Sequence, residues 1–273
     1  MGSLCANGSI AAALNAKIYG KGNQTLVLAH GFGEAQTTWH FLLPLLACYF
    51  KVVVFDMVFS PNVDPNLYDP HRYLSDFHGY ADDLVCLLHQ LQLNNTVYLG
   101  HSMAAMVGCL AAINRPHLFT HLVLLSGSPR YINETGYTGG FNESQVDEIY
   151  KSMNKDFKGW VRGFVPKAVG VNNTAAVAEI EKSFGRMKPD IAVSVAKAVF
   201  SSDFRYKLPQ VKVPCTIIQS QKDYIVPLSV ASYMKGRIGG NARVKILLNK
   251  QGHFPHLTAY NALFGVLKQA LLI

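Results

Sequence analysis

The chain has 273 residues, of which 49% are hydrophobic and 15% are charged, and it carries a formal net charge of +8. This composition excludes a disordered chain, because it supplies a large apolar core and too little charge to keep the chain expanded. The basic residues are scattered singly along the chain, so the charge predicts neither a nucleic-acid partner nor an anionic membrane surface.

The apolar runs and the cysteines indicate a protein that is not exported. The longest runs have the length of a strand and fall far short of the ~20 residues that a membrane span needs. The only apolar run near the start, residues 10–14, is too short for the core of a signal peptide. The five cysteines, at positions 5, 48, 86, 109 and 215, form no CxxC pair. We therefore expect them to be reduced.

Short runs rich in Val, Ile and Leu recur along the chain and predict strands. They are almost continuously apolar, which favours parallel strands that are buried on both faces of a sheet. Between them, residues 60–76 contain three prolines and predict a long loop, whereas residues 80–93 place four leucines on one face of a helix. The order is therefore βαβα, with strands predicted over residues 26–29, 52–55, 97–99, 122–125, 216–218 and 244–248.

This alternation stops between residues 130 and 213, where helical segments replace it. Asn142, Thr174 and Pro189 are residue types that commonly begin helices. We interpret the block as an inserted four-helix lid, and residues 1–129 and 214–273 as an α/β core with a mostly parallel sheet flanked by helices. The four helices are predicted over residues 143–156, 158–169, 174–187 and 189–202.

The segment around Ser102 predicts the chemistry. An apolar strand runs into Gly100-His101-Ser102-x-Ala104, and a helix of small residues follows. A nucleophilic serine on such a strand-to-helix turn has a strained backbone, and small neighbours allow the turn to pass. The usual pattern has glycine at the position of Ala104, but alanine is small enough for the same close approach. A tight turn with an exposed serine is the alternative interpretation.

A serine hydroxyl becomes a nucleophile only when a base accepts its proton and an acid orients the base, in the chain order Ser, Asp, His. Asp223 lies just past the fifth predicted strand, and His253 follows the sixth in a loop that also holds a rival, His256. Taken singly, Asp223 could cap a helix and His253 could be a surface histidine. Because Ser102, Asp223 and His253 all follow the C-terminal ends of strands, where open α/β sheets place their sites, we predict a triad.

Two backbone N–H groups are candidates for an oxyanion hole. Phe32 lies in the Gly-rich turn after the first predicted strand, and Met103 directly follows the nucleophile. A glycine-rich turn without such a role is the alternative. Neither glycine motif that cradles phosphates is present, so we predict no cofactor, and we predict no metal.

Aromatic side chains are frequent in the predicted lid. Rings at helical spacing, such as Phe157, Trp160 and Phe164, usually form a stripe that faces a core. A lid has a second face over Ser102, so we expect some of these rings to line an apolar cavity.

Together these motifs resemble the plant strigolactone and karrikin receptor-hydrolases, which are α/β-hydrolases. The resemblance extends from about residue 13 to the C-terminus, and its most specific part lies in the lid. It rests on ten segments: LAHGFG at 28–33, YDP at 68–70, RY at 72–73, GHS at 100–102, SPRY at 128–131, GGF at 139–141, MKPD at 187–190, VPC at 213–215, KD at 222–223 and GHFP at 252–255.

The resemblance implies an α/β-hydrolase fold with a V-shaped four-helix lid, and a receptor that slowly hydrolyses a butenolide signal. It implies that Ser102, Asp223 and His253 are catalytic, with Phe32 and Met103 as oxyanion donors. The ligand would signal through an F-box protein of a ubiquitin ligase, with repressor proteins as targets, in the cytoplasm and nucleus. The implied ligand-binding side chains are Phe32, Tyr131, Phe141, Ile149, Trp160, Phe164, Phe184, Phe200 and Ile225.

Segments that differ between the clades of this family point in two directions. Residues 13–17 and 55–61 resemble the divergent third clade, whereas residues 163–170 resemble the karrikin clade. Two other functions are compatible with the same residues. One is a binding module whose hydrolysis is dispensable, and the other is a carboxylesterase or lactonase that does not signal.

Overall fold

A computed structural model describes residues 9–74 and 76–273. Within them, seven strands form one sheet in the order β1-β3-β2-β4-β5-β6-β7. Strands β2 to β7 pair in parallel, and β1 pairs antiparallel with β3 at one edge. The predicted mostly parallel sheet is therefore confirmed. The strands are β1 (Lys17–Tyr19), β2 (Thr25–Ala29), β3 (Lys51–Val54), β4 (Thr96–His101), β5 (Phe119–Leu125), β6 (Cys215–Lys222) and β7 (Ala242–Gln251).

Helices connect the strands and cover both faces of the sheet. Short 3-10 helices lie at Gln36–Trp39, Pro65–Leu67, Pro116–Leu118 and Arg205–Gln210. The α-helices of the described residues are α1 (Ile10–Ala13), α2 (Leu43–Leu46), α3 (Pro70–Tyr73), α4 (His78–Gln90), α5 (Met103–Asn114), α6 (Glu143–Lys155), α7 (Phe157–Val169), α8 (Thr174–Gly185), α9 (Pro189–Ser201), α10 (Leu228–Arg237), α11 (Pro255–Thr258) and α12 (Tyr260–Leu271).

Two apolar clusters lie on opposite faces of the sheet, and this explains the continuous apolarity of the strands. On β2, Val27 and Ala29 pack into the larger cluster, whereas Leu26 and Leu28 pack into the smaller one. Successive side chains of a strand point to opposite faces, so a strand that is covered on both sides has no polar position. The larger cluster continues into the lid helices, where it includes Val165.

The four helices predicted for the inserted segment are present, and their ends agree with the prediction within two residues. Pro189 is the first residue of α9, as expected, because its missing N–H would be unpaired there in any case. Asn142 begins α6 through a capping box with Gln145. Helix α8 begins at Thr174, as predicted, but its N-cap is the preceding residue, Asn173, whose side chain accepts the hydrogen bond from the N–H of Ala176.

The prediction of a continuous loop over residues 60–76 is wrong in part. Aspartates precede prolines in this segment, and Asp64 and Asp69 each accept a hydrogen bond from a backbone N–H two residues later. An aspartate cap with proline in the first turn is a helix start, and here it begins a 3-10 helix and α3.

The expectation that every cysteine is reduced is wrong for Cys86, which is part of a disulfide. Cys48, Cys109 and Cys215 are free thiols. Cys5 lies outside the described residues. No helix among residues 9–74 and 76–273 has both the length and the apolar character to cross a membrane.

Candidate active site

Ser102 occupies a strained turn between the central strand β4 and helix α5. Its φ and ψ angles are 55° and −124°, which a residue with a side chain rarely adopts. Gly100 allows this turn, because a Cβ at that position would lie 2.4 Å from the carbonyl oxygen of Ala104. The N–H of Ser102 donates to the carbonyl of Leu125, so the turn is held from the neighbouring strand. The predicted serine turn is therefore present.

The imidazole of His253 lies between Ser102 and Asp223. Its Nε2 is 2.9 Å from Ser102 Oγ, and its Nδ1 is 2.8 Å from Asp223 Oδ2. The imidazole and the carboxylate are both buried, with 5% and 0% of their side-chain surfaces exposed. The structure therefore brings together the three side chains that the sequence places far apart.

Asp223 is fixed by three donors besides the imidazole. The N–H groups of Ile225 and Val226 donate to Oδ1 at 2.8 and 3.2 Å, and Gln219 Nε2 donates to Oδ2 at 3.0 Å. A carboxylate that is bonded in this way holds His253 with its Nδ1 protonated, which leaves Nε2 free to accept a proton from Ser102.

Phe32 and Met103 are next to residues at the serine: Met103 follows Ser102 directly, and Phe32 follows Gly31, where an added Cβ would lie 3.0 Å from Cβ of Ser102. Met103 is the first residue of α5, so its N–H has no acceptor within the helix. The N–H groups of Phe32 and Met103 donate no hydrogen bond to a backbone carbonyl in the loops and turns of the described residues. Two free donors beside a nucleophile are what an oxyanion hole requires.

An open cavity of about 640 Å³ lies between α6 and α7 of the lid. Four of the predicted ligand-binding side chains line it: Phe141, Ile149, Trp160 and Phe164. Tyr224, which the sequence analysis did not single out, also lines it. The sequence does contain a signal for Tyr224, because this residue directly follows Asp223, the predicted catalytic acid. Ser102 is not among the described residues that line this cavity.

The other predicted ligand-binding side chains lie behind the cavity wall, closer to the serine. Phe184 contacts Trp160 on one side and Phe32 on the other, with ring centroids 5.5 and 4.8 Å apart. Phe200 contacts Phe141 and Tyr131 in the same way, at 5.3 and 5.9 Å. In this way, two rows of contacting aromatic rings connect the cavity with the residues around Ser102.

Tyr131 and Ile225 are buried beside the triad. Burial raises the pKa of Tyr131, and the Ser102 side chain opposes that shift, which places the phenol next to that serine. Ile225 contributes its backbone N–H to Asp223. Both residues are therefore part of the site's wall, although neither lines the cavity between α6 and α7.

His256, the rival base, is turned away from the serine. Its Nε2 lies 3.0 Å from Glu34 Oε2 and 2.9 Å from Thr38 Oγ1. Glu34 was not singled out from the sequence, and its Oε1 lies 2.5 Å from Nδ1 of His101. All three titratable side chains of this cluster are fully buried.

Comparisons with known proteins agree with the observed fold. The model of the alpha/beta hydrolase family matches residues 26–264. Among solved structures, a hydrolase from Oleispira antarctica superposes with a TM-score of 0.92 and is 31% identical, with 96% of each chain covered. The predicted α/β-hydrolase fold is thus confirmed.

Two similar proteins of known name come from plants. A karrikin insensitive 2 receptor of Petunia hybrida is 42% identical over 261 residues, which is 95% of this chain and 96% of that protein. A strigolactone esterase of Arabidopsis thaliana is 41% identical over 263 residues, which is 96% of this chain and 98% of that protein. The chain therefore belongs to the α/β-hydrolase family and, within it, to the group that contains the karrikin receptors and strigolactone esterases.

Proposed function

We propose that this protein is a receptor for a small butenolide of the strigolactone or karrikin type, and that it slowly hydrolyses this ligand with Ser102. The observation that carries the proposal is the convergence of Ser102, His253 and Asp223 beneath an aromatic lid. The names of the similar plant proteins support the ligand class, and those proteins match almost the whole chain.

The geometry supports acyl transfer through a covalent serine intermediate. His253 Nε2 accepts the proton of Ser102 Oγ while that oxygen bonds to the carbonyl carbon of the lactone. The N–H groups of Phe32 and Met103 stabilise the negative oxygen that forms. The ring C–O bond then breaks, and its oxygen takes the proton from His253. A water molecule, deprotonated by the same imidazole, releases the acyl group from Ser102.

The lid supports selection of a compact, apolar ligand. A cavity of about 640 Å³ has the size of a small-molecule site, and the aromatic part of its wall favours an apolar ring. Charged side chains, such as Glu148 and Lys155, line another part of the same wall. Ser102 is only 7% exposed, so a ligand has to pass the aromatic rings before it reaches the hydroxyl. A site that is guarded in this way is consistent with slow turnover.

Signalling is the second part of the proposal. By resemblance, the occupied protein binds a leucine-rich-repeat F-box protein of a ubiquitin ligase and directs repressor proteins to degradation, in the cytoplasm and nucleus. Binding and hydrolysis are separable in this scheme, since the lid responds to the ligand and Ser102 performs the chemistry.

The experiment compares the wild type with Ser102→Ala on a fluorogenic butenolide, with Ser201→Ala as a control at an exposed serine outside the site. We expect Ser102→Ala to lose turnover and the covalent adduct seen by intact-mass spectrometry, while the control keeps both. Equal turnover by the wild type and Ser102→Ala would refute serine catalysis.

Ligand-induced thermal shifts and capture of an F-box protein test the receptor function. Retention of both by Ser102→Ala would show that hydrolysis is dispensable for signalling. Fast turnover of simple acyl esters by the wild type, without capture of an F-box protein, would instead indicate a carboxylesterase that does not signal.

A further inference from the structure

Glu34, His101 and His256 form a buried polar cluster that contacts the proposed triad at His253. Glu34 lies five residues after the end of β2, His101 ends β4, and His256 lies in α11. All three side chains have no exposed surface. Burial of a carboxylate costs free energy unless charged or hydrogen-bonded partners compensate it, so such a cluster requires an explanation.

The hydrogen bonds of His101 define its charge. Its Nδ1 lies 2.5 Å from a carboxylate oxygen of Glu34, and its Nε2 lies 2.8 Å from the carbonyl oxygen of His253. A carbonyl oxygen only accepts, and so does an ionised carboxylate. With Glu34 ionised, both ring nitrogens of His101 must therefore carry protons, and the ring is an imidazolium.

The electrostatics agree with this assignment. Burial alone would raise the pKa of Glu34, but the neighbouring rings of His101 and His256 hold it well below its usual value. Burial disfavours a charge on His101, yet the Glu34 carboxylate raises the pKa of that ring above its ordinary value. Burial lowers the pKa of His256 to about 4, so this ring is neutral and donates from Nε2 to Glu34.

One carboxylate thereby joins the three segments that carry the proposed machinery. Glu34 Oε1 accepts from the N–H of Gly31, at 3.2 Å, in the turn that holds Phe32. The same oxygen binds His101, the residue before Ser102. Its other oxygen binds His256, in the helix that follows His253.

A divalent metal ion is the alternative occupant of this cluster, since its ligand atoms lie within 4.8 Å of one another. Zinc holds nitrogen and oxygen ligands at about 2.0–2.2 Å, which separates tetrahedral ligands by more than ~3 Å. The separation of 2.5 Å between His101 and Glu34 is shorter than that. The geometry is therefore that of side chains bonded directly to one another.

We propose that Glu34 is a positioning residue: its carboxylate holds His101 as an imidazolium, and that imidazolium fixes the backbone carbonyl of His253 and so aims its ring at Ser102. This inference deepens the proposed hydrolysis and rests on it. Glu34 and His101 touch no reacting atom and act through the groups that they position, foremost His253.

The test compares Glu34→Gln, which keeps the shape of the side chain and removes its charge, with the wild type. We expect kcat on the fluorogenic butenolide to fall about tenfold or more and KM to change less than about twofold, because the base is misplaced and the ligand cavity is unaltered. Asp83→Asn is the matched control: Asp83 is also a buried, hydrogen-bonded carboxylate, bound to Arg72 and Tyr73, and this variant should keep the kcat of the wild type.

A measurement on the wild type tests the charge without any loss of folding. Histidine labelled with ¹⁵N, with His101 assigned through a His101→Gln variant, should show protons on both ring nitrogens of His101 at neutral pH. Glu34→Gln should remove one of them. A single protonated nitrogen in the wild type, or an unchanged kcat in Glu34→Gln, would overturn the proposal.

Labelling of Ser102 by a fluorophosphonate separates this inference from the proposed function. If the wild type is labelled but does not turn over butenolides, the substrate class is wrong, and a slower labelling of Glu34→Gln still supports the positioning role. Equal labelling rates of the wild type and Glu34→Gln would contradict that role whatever the substrate is.

Discussion

The backbone of Gly252, rather than any side chain, determines where the loop of the proposed base can lie. Its φ is +93°, and a Cβ there would lie 1.9 Å from the carbonyl oxygen of Val169 at the end of α7. The next residue, His253, donates its N–H to the carbonyl of Ala168, at 2.8 Å. Only glycine allows the loop to approach the lid this closely.

We therefore expect Gly252→Ala to destabilise the protein by on the order of 3 kcal/mol, through backbone strain and displacement of the loop. Unfolding by urea measures this change, and turnover should fall with it. Gly236→Ala is the control, because Gly236 lies in α10 with no atom within 4 Å of the added Cβ. That variant should be slightly more stable than the wild type, by about 0.5–1 kcal/mol. A mild effect of Gly252→Ala would mean that the loop has room that the contact distances exclude.

His256 predicts a dependence of stability on pH. Burial lowers its pKa from 6.5 to about 4, so between these values the unfolded chain binds the proton that the folded protein rejects. The free energy of unfolding should therefore increase as the pH rises from about 4 to 6.5. This residue contributes at most about 3 kcal/mol to the increase. Glu34, whose pKa is lowered, contributes in the same direction.

His256→Gln should reduce the difference in unfolding free energy between pH about 4.5 and pH about 7, while leaving the share that comes from Glu34. His117→Gln, at an exposed position, serves as the control and should keep the full difference. Urea unfolding at the two pH values gives the comparison. If His256→Gln and the wild type lose the same stability in acid, the ring is not the neutral donor inferred here.

The sequence is informative about single residues where a local pattern surrounds them. Ser102 lies in a strand-turn-helix pattern, and Asp223 and His253 each follow a strand, so their positions could be predicted. Glu34 has no such pattern, because its partners His101 and His256 are distant in the chain. Only the fold reveals that the carboxylate is buried against them, and a glutamate after a glycine-rich turn is otherwise typical of a surface.

At the level of elements, predictability follows burial. The strands β2 to β6 could be predicted because most of their residues are buried and apolar runs are rare outside a core. Strand β7 is the exception, since its run was predicted although Leu247 is its one buried residue. Strand β1 was not predicted, since its three residues are all exposed and only its pairing with β3 makes it a strand. Helix α10 was not predicted either, because its buried side chains, Val230, Ala231 and Met234, are too few to form a clear stripe.

Helix α8 depends on its N-cap, Asn173, which is one residue before the start signal, Thr174, that the sequence predicts. The side chain of Asn173 accepts the N–H of Ala176, at 3.0 Å, and satisfies a donor that the helix leaves unpaired. We expect Asn173→Ala to lower the free energy of unfolding by about 1 kcal/mol. Asn173→Asp keeps an accepting oxygen and should keep the stability of the wild type. A loss of similar size in both variants would show that the amide, and not the cap, matters.

At the scale of the whole molecule, the lid and the sheet are joined at several points. Tyr68 in the core bonds Ser194 in α9, at 2.8 Å, and Arg186 in the lid donates to the side-chain oxygen of Asn62 in the core, at 2.9 Å. The larger apolar cluster contains residues of both parts. Because the two parts share these contacts, unfolding of the lid alone would require additional free energy.

The two tryptophans report on the two parts separately, because Trp39 packs in the smaller cluster beneath the sheet and Trp160 lies in α7 of the lid. We expect Trp39→Phe, which retains the lid fluorophore, and Trp160→Phe, which retains the core fluorophore, to show urea transitions that coincide with the far-ultraviolet circular dichroism of the same variant. In each variant, fluorescence and dichroism then share one midpoint, since the lid cannot leave without exposing the larger apolar cluster. A fluorescence midpoint of the lid below the dichroism midpoint in Trp39→Phe would mean that the lid opens as a unit of its own, with the contacts at Tyr68, Arg186 and Gly252 too weak to hold it.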